Sequence, residues 1–114
     1  MRPHHKLDVW KQAIELVEDV YLITQQFPQS ELYGLTSQLR RAAVSVPSNI
    51  AEGAARNGSK EFAHFLSIAN GSLIEVETQL IIAIRLGWMN KDHPVFAKLE
   101  TITRLLLGLR NSLK

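Results

Sequence analysis

Between Gly34 and Gly53 an apolar stripe keeps its helical phase across a proline. Leu35, Leu39, Ala42, Val46, Ile50 and, just past the end, Ala54 recur at steps of three and four, the spacing of one helix face. Pro47 stands inside this pattern. It has no backbone N–H and crowds the carbonyl of Ala43, so a helix passing through it loses a rung. Two structures satisfy the sequence: one helix kinked near Val46, or two short helices meeting there. The unbroken phase favours the kink. The second helix is therefore expected over Leu35 to Arg56, with Thr36 or Ser37 placed to cap it. Its small residues, among them Ala42, Ala43, Ser45, Ser48, Ala51 and Gly53, permit close approach of a neighbouring helix.

Three further segments have the same period. Leu7 to Phe27 carries the stripe Trp10, Ala13, Ile14, Val17, Val20, Tyr21 and Thr24, and Phe27-Pro28 stops it. Ser59 is placed to cap a third helix, which runs to about Leu86 and ends at Gly87. Its inner stripe is Phe62, Phe65, Ala69, Leu73, Val76, Leu80 and Ala83, continuous across the weak helix formers Asn70-Gly71-Ser72. The fourth, Pro94 to Leu113, places Val95, Leu99, Ile102, Leu106, Leu109 and Leu113 on a coiled-coil-like seam. Four helices with short connections predict an all-α, antiparallel up-down-up-down four-helix bundle over residues 7–113, with residues 1–6 as a flexible tail. Leu80, Ile81, Ile82 and Ile84 point around the third helix, and Leu105 and Leu107 flank the seam of the fourth. One core cannot bury all of them, which predicts homo-oligomerisation.

With 114 residues, 46% of them hydrophobic, the chain has the length of one domain and enough apolar material for a core. It has no cysteine, which excludes disulfides, thiolate metal sites and cysteine catalysis. The apolar run Leu80–Ile84 is too short to span a bilayer, and the basic N-terminus is not followed by the apolar run of a signal peptide. A cytoplasmic protein without a membrane partner is expected. Net charge is only +2, but it is unevenly spread. In the first helix Lys11 stands against Asp8, Glu15, Glu18 and Asp19. In the second, Arg40, Arg41 and Arg56, with Lys60 beyond, stand against Glu52. The last segment sets Lys91, Lys98, Arg104, Arg110 and Lys114 against Asp92 and Glu100. Attraction between helices accounts for this pattern, and so does a basic surface for a polyanion.

No catalytic or cofactor motif stands out. Glu61 and His64 have the Glu-x-x-His spacing of carboxylate-bridged metal bundles, but such a site needs two copies and two further glutamates. No metal or other cofactor is predicted. Ser45 and Ser48 have no histidine on their helix to activate them, and no enzymatic activity is expected. Arg41, Ser45, Ser48 and Glu52 form a polar stripe beside the apolar one, with Glu75 and Gln79 as candidate partners. That stripe reads as an ion pair setting helix register, or as a small-ligand pocket around Arg41, Ser45, Glu52 and Glu75. On this spacing Arg40 lies toward the outer side and Arg41 nearer a helix boundary.

The run YGLTSQLRRAAVSVPSNIAEGAAR, Tyr33 to Arg56, resembles the signature of the small bacterial four helix bundle proteins. These include products of intervening sequences in 23S rRNA genes. The likeness extends through LDVWKQAIELV, Phe27-Pro28 with Glu31, and FLSIANGSLIEVETQL, covering about Leu7 to Leu109. The resemblance implies an antiparallel four-helix bundle with no established enzymatic activity. It also implies a likeness to the accessory protein of diversity-generating retroelements, a homopentamer that binds nucleic acid and a reverse transcriptase. On that basis Arg40, Arg41 and Arg56 are candidate contacts to RNA or DNA; the charge distribution adds Lys60, Arg104 and Arg110. Ser45, Asn49, Glu52 and Glu75 are read as structural polar residues. The leading expectation is a non-enzymatic homo-oligomer that binds nucleic acid or a nucleic-acid enzyme. The alternative is a protein-interaction scaffold.

Overall fold

Each of the four periodic segments forms one helix in the computed structural model, which describes residues 2–113. Met1 of the expected tail and Lys114 of the basic C-terminal run lie outside the described residues. The helices are α1 (Asp8–Thr24), α2 (Leu35–Ala54), α3 (Ser59–Arg85) and α4 (Val95–Ser112). Pro3–Lys6 and Gln29–Glu31 form short 3-10 turns. α1 packs on α2 and α4, and α3 packs on α2 and α4, while the backbones of the diagonal pairs stay apart. The result is a four-cornered bundle in which chain neighbours are spatial neighbours. Its longest dimension, 43 Å, is about the length of α3.

α2 runs through Pro47 without a break, and Pro47 is buried within it. Its start differs from the expected cap. Neither Thr36 nor Ser37 provides one; Gly34 precedes the first turn, and the Glu31 carboxylate accepts from the Leu35 N–H at 3.2 Å. Thr36 is buried. At α3 likewise, Ser59 is the first helical residue rather than the cap, and Gly58 at φ +120° precedes it.

In α2, α3 and α4 most of the expected stripe is buried, but Leu35, Ala54, Phe62, Phe65, Leu109 and Leu113 are only half covered, and Leu66, outside the expected stripe of α3, is fully buried. In α1 the expected Ala13, Val20 and Thr24 are buried and the rest of the stripe is not. Val9, Ala13, Leu16, Val20, Ile23 and Phe27 are buried, whereas Ile14 and Tyr21 are exposed and Trp10 and Val17 are only half covered. α1 carries two adjacent apolar stripes, and periodicity alone does not say which of them turns inward. Charge complementarity fixes the other side of α1: Lys98 Nζ of α4 lies 3.0 Å from Asp19 and 3.4 Å from Glu15. Partial burial disfavours the Lys98 ammonium, but these two carboxylates outweigh that effect and raise its pKa.

α3 ends in two hydrogen bonds. Trp88 N–H donates to Ala83 C=O at 2.9 Å and Gly87 N–H to Ile84 C=O at 3.0 Å, with Gly87 at φ +83°. This is a Schellman stop, which needs a residue tolerant of positive φ. Trp88 then lies 5.4 Å from the buried Phe27 ring, tying the α3–α4 connection to the end of α1.

α2 and α3 make the tightest junction. A methyl group on Gly53 would lie 2.8 Å from Phe65 Cβ, 2.9 Å from Phe62 Cδ1 and 3.3 Å from Phe62 C=O. At Gly71, in the middle of α3, the same methyl group would meet nothing within 4 Å. The two glycines therefore have opposite expected responses to alanine. Gly53→Ala destabilises by roughly 1–3 kcal/mol through overpacking. Gly71→Ala stabilises by roughly 0.5–1 kcal/mol through helix propensity. Urea unfolding followed by circular dichroism measures both; equal signs would contradict this account of the α2–α3 junction.

Candidate functional site

Adjacent residues on a helix differ in direction by about 100°, and this separates the two arginines of α2. Arg40 leans on α1. Its Nε donates to Thr24 Oγ1 at 2.9 Å, and its guanidinium carbon lies 4.6 Å from the centroid of the Tyr21 ring. The buried Thr24 hydroxyl accepts this bond while donating to Val20 C=O at 2.8 Å. Arg41 is exposed and, among the described residues, makes no hydrogen bond or ion pair. This reverses the expected division: Arg40 is the anchored residue and Arg41 the outward one. The stripe count alone cannot rank the two sides of α2, because a half-buried guanidinium depends on what α1 places opposite.

The other expected cations do not join them. Arg56 is held by Glu52 at 2.7 Å one turn earlier, and its guanidinium lies 5.0 Å from the Phe65 ring centroid. Lys60 is exposed in the first turn of α3. Arg104 is exposed on α4, the helix diagonal to α2, and Arg110 reaches Ser67 of α3 at 3.4 Å. Arg40 and Arg41 are the pair that the fold brings together.

Of the polar stripe of α2, Arg41 and Ser45 border α3, while Ser48 lies on the α1 side. Ser45 and Ser72 share a hydrogen bond of 2.8 Å, and Asn49 Nδ2 donates to Ser45 C=O at 2.8 Å and to Ser45 Oγ at 2.9 Å. Gln79 Nε2 donates to Glu75 at 3.2 Å. Gln38, Arg41, Ser45, Ser72 and Glu75 rim a shallow depression of about 380 Å³. Glu52 is not part of it, so three of the four side chains considered for a small-ligand pocket meet there. Ser45 joins α2 to α3 through Ser72, and Asn49 holds Ser45 from within α2. Among the described residues no group of three His, Asp or Glu side chains could hold a metal ion, and Glu61 and His64 are both exposed.

A larger depression of about 690 Å³ opens on the α1 side of the arginines. Tyr21, Tyr33, Ser37, Arg40, Arg41 and Val44 line it, and none of its lining residues is acidic. Tyr33, on the turn before α2, is 94% exposed. Sequence reasoning missed both tyrosines: Tyr21 fell on the stripe taken as core, and Tyr33 lay in a connection without a pattern. The signal that could have found them is the second apolar stripe of α1, which must face something other than the core. Beyond Val44 the same α1–α2 face continues as an apolar groove. Trp10, Ile14 and Val17 form one wall, and Pro47, Ser48 and Ala51 the other. His4 closes its far end, with its ring 5.0 Å from Trp10 and 4.3 Å from His5.

These features define a small all-helical bundle with an arginine pair on its α1–α2 face. The family model described as 23S rRNA-intervening sequence protein matches residues 5–108, and the chain belongs to that family. No curated protein matches it significantly. No helix among the described residues is long and apolar enough to cross a membrane.

Desolvation, followed by the charges of His5 and Arg2, lowers the pKa of His4 below its ordinary 6.5. The docked N-terminal turn therefore favours neutral His4. Its docking is complete above about pH 6.5 and weakens as pH falls through the lower, docked value. NMR titration of the His4 ring is expected to give a midpoint below 6.5, moving back toward it in Trp10→Ala. A midpoint at or above 6.5 in the native chain would contradict the packing of this turn.

Proposed function

We propose that this chain is a non-enzymatic, self-associating helical module that acts in the cytoplasm and binds RNA or DNA, alone or together with an enzyme that acts on nucleic acid, such as a reverse transcriptase. The observation that carries the reading is the arginine pair of α2. Arg56 and Lys98 have carboxylate partners, whereas Arg40 and Arg41 have none and stand beside a depression without an acidic wall. A phosphate backbone is the polyanion that suits such a pair. The family description, which names an intervening sequence of 23S rRNA, is consistent with a nucleic-acid setting.

Fluorescence anisotropy with a labelled RNA hairpin and a DNA duplex, at low and moderate salt, tests the reading. Binding is expected to weaken linearly in log–log form as salt rises. Arg41→Ala is expected to lower that slope by about one, as loss of one phosphate contact does. Absence of binding to either probe at low salt and micromolar protein would sink it.

Self-association rests on apolar surface in two places. Ile74, Ile81 and Ile82 of α3 and Leu86 just after it are exposed, and the Trp10–Val17 groove lies on the α1–α2 face. Two different faces suit a head-to-tail contact, which closes into a ring such as a homopentamer. Light scattering is expected to give a mass near five times the 12.9 kDa of the chain, and Ile81→Glu to reduce it. A monomer at micromolar concentration would exclude the assembly. The same apolar groove favours the second reading, a scaffold for a protein partner; a partner that stays bound after nuclease treatment would support it.

A further inference from the structure

We infer that the depression beside Arg40 and Arg41 takes unpaired nucleotides of an RNA or DNA strand, with a base against aromatic surface and phosphates on the arginines. The inference rests on the nucleic-acid reading above and specifies the form of its ligand. Three observations carry it. The first is charge: two guanidinium groups line the depression, no carboxylate does, and neither arginine has an ionic partner among the described residues. The second is aromatic content. Tyr33 presents nearly its whole ring to solvent, and Arg40 is stacked on Tyr21 with its guanidinium fixed by Thr24. Splayed bases stack on tyrosine rings and on arginine planes alike, whereas the bases of a duplex already stack on one another. The third is size. About 690 Å³ falls within the roughly 300–1,000 Å³ of small-ligand sites, and suits one or two nucleotides rather than the flank of a helix.

Ser37 and Ser45 add hydroxyl groups to the wall. The Ser37 hydroxyl can donate or accept, and that of Ser45 is already engaged by Ser72 and Asn49, so neither favours a particular base edge. The site is accordingly one for strand form rather than sequence. Arg41, exposed and unpaired, supplies the phosphate contact that moves, and Arg40 the one already in place.

The test compares a labelled single strand of about twelve nucleotides, within the usual site size of such grooves, with a duplex of equal length and with a free mononucleotide as competitor. The native chain is expected to prefer the single strand. Tyr33→Ala is expected to weaken that complex about 5- to 150-fold, as loss of one stacked base does, with the salt slope unchanged. Tyr33→Phe is expected to retain binding. Since Tyr33 is exposed, both variants are expected to melt as the native chain does. If the native chain binds duplex at least as well as single strand, or Tyr33→Ala binds the strand as the native chain does, the inference falls while the nucleic-acid reading stands. If neither nucleic acid binds, both fall. Competition by the free mononucleotide at concentrations equivalent to the strand would identify a nucleotide site instead and overturn the strand assignment. A change in assembly mass in Tyr33→Ala with strand binding intact would identify a second copy of the chain as the occupant, and would also overturn it.

Discussion

The missing side chain of Gly53 sets the distance between α2 and α3, and the rest of the bundle follows from that distance. Phe62 and Phe65 of α3 occupy the space a Cβ would need. With the backbones this close, short polar side chains can bridge directly, and Ser45 meets Ser72 at 2.8 Å without intervening bulk. Asn49 completes the bridge by bonding back to Ser45. The small residues of α2 are therefore not filler. They turn the α2–α3 pair into a tightly joined unit on which α1 and α4 pack through larger side chains such as Leu16, Ile102 and Leu106. Pro47 fits the same logic. It is buried, and the rung it removes lies inside a helix held on both flanks, where tertiary packing offsets the lost hydrogen bond.

How much of this was legible in the sequence depended on whether one stripe or two competed for the core. α4 has a single apolar seam, and its expected Val95, Leu99, Ile102 and Leu106 are buried, with Leu109 and Leu113 half covered toward the helix end. α3 was legible across Asn70-Gly71-Ser72, because phase on both sides outweighs three poor helix formers. α1 was read only in part: Ala13, Val20 and Thr24 are buried as expected, but Trp10, Ile14, Val17 and Tyr21, as periodic as the buried Val9, Leu16 and Ile23, are not. Only the position of α4, fixed in part by Lys98 between Glu15 and Asp19, shows which stripe turns inward. Helix caps were misread for a related reason. A threonine or serine at the right spacing signals a cap, yet at α2 the acceptor came from Glu31, four residues before the N–H it receives.

The charge pattern of the sequence has also acquired a division of labour. Opposite charge on α1 and α4 joins helices, and Glu52 with Arg56 neutralises the end of α2. An ion pair with both partners exposed contributes little to stability. Its consequence here is that Arg56 presents less net charge to solvent than its sequence position suggested. What remains uncompensated on α2 is concentrated at Arg40 and Arg41, and the misread stripe of α1 supplies the aromatic neighbour. The candidate site and the error at α1 thus have one origin: an apolar face that the core did not need.

The two arginines differ in what binding would cost each of them. A free arginine side chain loses rotamer entropy when an anion fixes it. Arg40 has already lost most of that freedom in the folded chain, because Thr24 holds its Nε and Tyr21 holds its plane. Partial burial also strips some water from its guanidinium, an unfavourable change that no carboxylate offsets here. A phosphate arriving at the depression would offset that cost by charge-assisted hydrogen bonding without ordering the side chain, while Arg41 would contribute charge and adapt to the strand. The preorganised half of the pair gives position and the mobile half gives tolerance, a combination that suits a ligand of constant backbone and variable sequence.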